Sequence, residues 1–64
     1  MMILKYFAYE HLPPKLQEVS MAFYDLAHAI NDHVPDCDER SVALRKLLEG
    51  KDAAVRACLE INAE

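Results

Sequence analysis

Apolar residues along this chain recur in two helical rhythms separated by one short break. The first stripe is Leu16, Val19, Phe23, Leu26 and Ile30, with spacings of 3, 4, 3 and 4. That spacing keeps side chains on one face of an α-helix. After the Val34-Pro35-Asp36-Cys37-Asp38 break, a second stripe runs through Leu44, Leu47 and Leu48, Ala54 and Val55, Cys58 and Ile61. Two stripes joined by a tight turn predict an all-α fold, an antiparallel two-helix hairpin in which the helices fold back on each other.

Prolines place the ends. The residue before a proline is pushed out of the α region, so Pro14 keeps the first helix from starting earlier. A helix opening at Pro14 or Lys15 loses nothing from the missing N–H. Pro35 forces Val34 out in the same way. Asp36 followed three residues later by Glu39 resembles a capping box for the second helix, with Asp38 as a competing N-cap. The expected organisation is one domain over residues 1–64, made of an extended arm (1–13), a helix (14–33), a turn (34–37) and a helix (38–61). Gly50 is a tolerated weak point in the second helix.

The faces imply more than the boundaries. On the first helix, Ala27 joins the apolar stripe that should pack on the second helix, while Met21, Tyr24 and His28 lie on the opposite side. These three are either scattered exposed residues or a contact between subunits. The second helix carries two neighbouring apolar rows. One is Leu44, Leu48, Val55 and Cys58; the other is Ala43, Leu47, Gly50, Ala54, Ala57 and Ile61. Together they cover nearly half its circumference, more than one partner helix hides. Chains below about 70 residues seldom gain more than about 3–5 kcal/mol from a single core. Both points predict a homo-oligomer, a dimer or larger, joined through the second helix.

Composition narrows the partners. The 64 residues are 53% hydrophobic and 28% charged, with a single Gly and a net charge of −4. Acids and bases interleave and no basic block exists, so no DNA or RNA partner is expected. A small anion remains possible, because a few local cations suffice. The apolar MMILKYFAY segment contains Lys5 and is too short for a signal-peptide core or a membrane span, so a cytoplasmic chain with no membrane partner is expected. Cys37 falls in the turn and Cys58 far along the second helix, roughly 30 Å away at the helical rise. A disulfide between them is therefore excluded if the hairpin is right, and reduced thiols fit the cytoplasm.

Few residues carry chemistry. Arg40 and Lys51 fall on the apolar side of the second helix; they either snorkel to water or stand near subunit interfaces to meet phosphates. Arg45 with Glu49 and Asp52 with Arg56 are i,i+4 pairs on the charged side. The arm places Tyr6, Phe7, Tyr9 and His11 within six positions. These aromatics either plug the open end of the hairpin or form a platform for a base, with His11 or Lys15 near a phosphate at the helix N-terminus. His11, His28 and His33 have no metal-ligand spacing, and no HExxH, CxxC, glycine loop or nucleophile motif is present. No enzyme activity, cofactor or metal is expected.

One resemblance adds to this. FAYEHLPP before the first helix, LAHAI within it, and VPDCDERSVALRKLLEGKDAAVRACL after it resemble the helical-hairpin domain of phage anti-CBASS cyclic-oligonucleotide sponges. A related hairpin occurs in the anti-Thoeris sponges. The shared elements read here as Phe7 and Tyr9, Pro13 and Pro14, Pro35, then Ser41, Ala43, Leu44, Lys46, Leu47 and Glu49, covering Phe7 to Cys58. The resemblance implies a phage or prophage protein that sequesters a cyclic di- or trinucleotide second messenger between subunits, without cleaving it, and so blocks host anti-phage signalling. It implies an N-terminal aromatic stacked on a base and cations holding phosphates. Tyr9 suits the first role by position; Arg40, Arg45 and Lys46, with His11 and Lys15, suit the second by residue type. The alternative is a structural or protein-interaction hairpin with no nucleotide ligand.

Overall fold

A computed structural model describes residues 2–60 of the chain, and those residues form three helical elements and no strand. A 3-10 helix spans Met2–Phe7, helix α1 spans Pro14–His33 and helix α2 spans Asp38–Glu60. The two α-helices pack against each other, and the 3-10 helix packs on both. Ile61, expected at the end of the second stripe, lies outside the described residues.

The ends of α1 follow from its prolines. Pro13 sits at the N-cap with φ −57° and ψ 149°, and Pro14 occupies the first turn. The Pro13 carbonyl accepts from the amides of Leu16 and Gln17, at 2.9 and 3.2 Å. At the other end Val34 is extended, with φ −100° and ψ 136°, and its N–H closes the last turn on the Ile30 carbonyl at 3.0 Å. The start of α2 differs from the capping box. The Cys37 carbonyl accepts from the Arg40 and Ser41 amides, while the Asp36 carboxylate pairs with Arg40 at 3.0 Å. A guanidinium within reach outcompetes a backbone amide for that carboxylate.

The arm is not extended. A lone extended segment has no strand to satisfy its backbone, whereas a 3-10 turn closes its own hydrogen bonds. Coiling also sets Leu4 and Phe7 three residues apart on one side, where they reach the helix pair. Phe7 is fully buried and forms the core with Ala27 and Leu44. Ile3, Leu4, Phe23, Tyr24, Ile30, Leu47 and Leu48 pack around these three.

The arm also turns the buried face of α1. Its buried residues are Leu16, Ser20 and Ala27, and Tyr24 and His28 are partly buried rather than facing solvent. Leu26, expected inside, is 50% exposed. Two residues along a helix is more than half a turn, so a segment covering Tyr24 leaves Leu26 on the far side. On α2 the row with Leu44 faces inward, whereas Ala43, Gly50 and Ala57 stay exposed. Phe23 and Gly50 lie beside each other: a Cβ on Gly50 would stand 3.6 Å from Phe23 Cε1.

Candidate functional site

Two cations are built into the fold. Lys51 is only 8% exposed, and its ammonium donates to the Tyr6 carbonyl at 2.7 Å. It neither snorkels to water nor faces outward; it ties the end of the 3-10 helix to α2. Arg40 donates through Nη1 to the carbonyls of Asn31 (3.1 Å) and Val34 (3.2 Å), and pairs with Asp36 through Nη2. These are carbonyls that the end of α1 leaves without amide partners, so a cation there also complements the helix dipole. With both terminal nitrogens engaged, Arg40 has little left to offer a phosphate.

The other cations remain available. Lys15, Arg45 and Lys46 are exposed, as is His11. Among the described residues the only ion pair within 4.0 Å is Arg40–Asp36. The expected Arg45–Glu49 and Asp52–Arg56 pairs are therefore not closed, as is common for long side chains in water.

The aromatic arm divides by role. Phe7 is the core plug. Tyr6 is exposed, with the Lys5 ammonium 5.2 Å from its ring centroid. Tyr9 is partly buried and meets Tyr24 edge to face, with centroids 5.2 Å apart and planes at 72°. Tyr24 in turn stacks at a tilt on His28, at 4.3 Å and 45°. The three rings form a row running from the arm along α1, each still partly open to solvent. An edge-to-face contact uses the face of only one ring, so Tyr9 keeps at least one face free of Tyr24.

The segment behind Tyr9 is held from α1. The Gln17 carboxamide donates to the Leu12 carbonyl at 2.8 Å and to the Glu10 carbonyl at 3.3 Å. Within the turn, the Leu12 amide donates to the Tyr9 carbonyl at 3.0 Å.

The structure thus joins Tyr9 to Tyr24, His28 and Gln17, none of which stood among the candidate binding residues. Tyr24 and His28 are one helical turn apart, a spacing that marks a shared ridge; only the position of the arm reveals which ridge it covers. Cys37 is exposed and Cys58 partly buried, and both are free thiols. Among the described residues no group of three or more His, Cys, Asp or Glu is placed to hold a metal ion, and no helix is long and apolar enough to cross a membrane. No protein-family model matches this chain, and no curated protein or solved structure matches it either.

Proposed function

We propose that this chain is a sponge: a small helical protein that binds a cyclic di- or trinucleotide between copies of itself and withholds it from a bacterial host's anti-phage signalling, without chemistry. The observation that carries the reading is the Tyr9–Tyr24–His28 row, an aromatic surface partly open to solvent and fixed to a helix. A base stacks on such a face, at about 1–3 kcal/mol per base. The exposed cations Lys15, Arg45 and Lys46, and His11, supply charge for the phosphates once copies assemble. Arg40 is a support for the turn rather than a contact. The resemblance of the FAYEHLPP and SVALRKLLEGKDAAV segments to the sponge hairpins favours the same reading.

Assembly is part of the proposal. The helices run antiparallel, an orientation favoured by the short turn at 34–37 and by the Phe23–Gly50 and Arg40–Asn31 proximities. The described chain measures 41 × 20 × 16 Å, a thin body in which a dinucleotide finds little enclosure. Leu26 of α1 and Ala43 and Gly50 of α2 are exposed apolar positions that a second copy would cover.

The test is a thermal-shift panel of cyclic di-AMP, cyclic di-GMP and cyclic tri-AMP against the purified protein. A ligand at a hundred times its Kd stabilises by about 2.7 kcal/mol, about 10–20 °C for a chain of this size. The rival reading is a protein-interaction module, favoured by the engagement of Arg40 and Lys51 with carbonyls of their own chain. It predicts no shift with any of the three nucleotides.

A further inference from the structure

The turn between the 3-10 helix and α1 is short of donors. Pro13 and Pro14 have no N–H, so the segment that bends the chain into α1 lacks two of the amides a turn ordinarily uses. The carbonyls of Glu10 and Leu12 point instead at one side chain, the carboxamide of Gln17 on the first turn of α1. Both partners are carbonyls, which only accept, so the orientation with the Gln17 NH2 toward them is the one that satisfies the contact. That amide supplies the two N–H groups that the prolines omit.

We propose that Gln17 is the positioning residue of the ligand site: it fixes the Tyr9–Leu12 turn against α1, so that Tyr9 is already on its ridge with Tyr24 and His28 before a nucleotide arrives. The proposal rests on the reading of Tyr9 as the stacking aromatic. Its physical content is separate, because it concerns how the turn is held. The turn contributes one backbone bond of its own, from the Leu12 amide to the Tyr9 carbonyl. The Leu12 carbonyl is bonded to Gln17, so the amide and carbonyl of Leu12 tie Tyr9 to α1 in one chain: Tyr9 carbonyl, Leu12, Gln17. The Tyr9–Tyr24 contact closes the same loop from the other side. Without the carboxamide, two carbonyls must turn to water and the turn gains conformational freedom, which ligand binding must then remove.

The test uses Gln17→Met, which keeps side-chain length and helix propensity and removes both donors, with Gln17→Lys as the variant that restores a donor on a flexible stem. Thermal melting confirms folding in each. Hydrogen exchange at the Leu12 amide reads the turn directly. Gln17→Met should speed that exchange about tenfold, the effect of losing one to two net hydrogen bonds, and Gln17→Lys should recover part of it. Calorimetry with cyclic di-AMP, cyclic di-GMP and cyclic tri-AMP then reads the site. Gln17→Met should weaken binding of the nucleotide that binds the parent protein by about tenfold, and should cost nothing further in a Tyr9→Ala background. Leu12 exchange that is unchanged in Gln17→Met overturns the positioning role, whatever binds. Affinity that is unchanged despite faster exchange overturns it for the site. If the parent protein binds none of the three nucleotides, the sponge reading fails, while the Leu12 exchange still decides whether Gln17 holds the turn.

Discussion

Replacing Lys51 by Met should loosen the 3-10 helix and lower stability, although the substitution makes the interior more apolar. Lys51 as a residue is 8% exposed, and its ammonium donates to a single neutral acceptor, the Tyr6 carbonyl, at 2.7 Å. Losing a hydrogen bond with a charged partner costs about 1.5–3 kcal/mol. Against this stands the cost of keeping a charge out of water, which Met removes. Met also fills most of the same volume, so the cavity cost stays small. The Tyr6 carbonyl, left at the end of the 3-10 helix without its donor, decides the balance. The net expectation is a loss of about 1–2 kcal/mol. For a domain of this size each kcal/mol moves the midpoint by about 4–8 °C, so a fall of about 5–15 °C is expected. Circular dichroism melting measures the midpoint, and hydrogen exchange at Ala8, whose amide donates to the Lys5 carbonyl at 3.3 Å, reports the 3-10 segment itself. A midpoint that stays or rises, with Ala8 as protected as before, would show instead that burying the ammonium is a net cost.

Two further substitutions probe the helix pair. Arg40→Met removes the donors to Asn31 and Val34 and should cost about 1–3 kcal/mol in urea unfolding, whereas Asp36→Ala, at a side chain 85% exposed, should cost less than about 0.5 kcal/mol; equal losses would mean that the ion pair, not the carbonyl contacts, stabilises the turn. Gly50→Ala should stabilise by about 0.5–1 kcal/mol, because the new Cβ meets Phe23 at an ordinary 3.6 Å and the helix gains propensity. A lower melting midpoint for Gly50→Ala would mean that the second copy proposed on this face approaches too closely to admit a Cβ.

The helices were legible in the chain because their signals are local. Pro14 and Pro35 act on their immediate neighbours, and the stripe through Leu16, Phe23 and Ile30 has a period that any partner surface must respect. The arm was not legible in the same way. Its partial alternation suits an extended segment, yet an extended segment without a neighbouring strand leaves its amides unpaired, and the coil that pairs them depends on a core contact through Phe7. The same contact decides which flank of α1 is covered, so Tyr24 and Leu26 could not be assigned to inside and outside from period alone. Arg40 and Lys51 fall on an apolar face in the sequence. Their partners are main-chain carbonyls at Val34 and Tyr6, and nothing in residue type or spacing announces a carbonyl left open by the fold. Gln17 was hidden for the same reason, although a donor-rich side chain three residues after two prolines is a signal that could be sought elsewhere.

The proposed function stands or falls on whether the row beginning at Tyr9 takes a nucleotide base. The most direct measurement is titration calorimetry of cyclic di-AMP, cyclic di-GMP and cyclic tri-AMP into the parent protein and into Tyr9→Ala, with light scattering to confirm that both assemble alike. The expected result is saturable binding of at least one of them to the parent protein, and a loss of about 1–3 kcal/mol in Tyr9→Ala with assembly unchanged. No binding to the parent protein, or equal binding by both proteins, would contradict it.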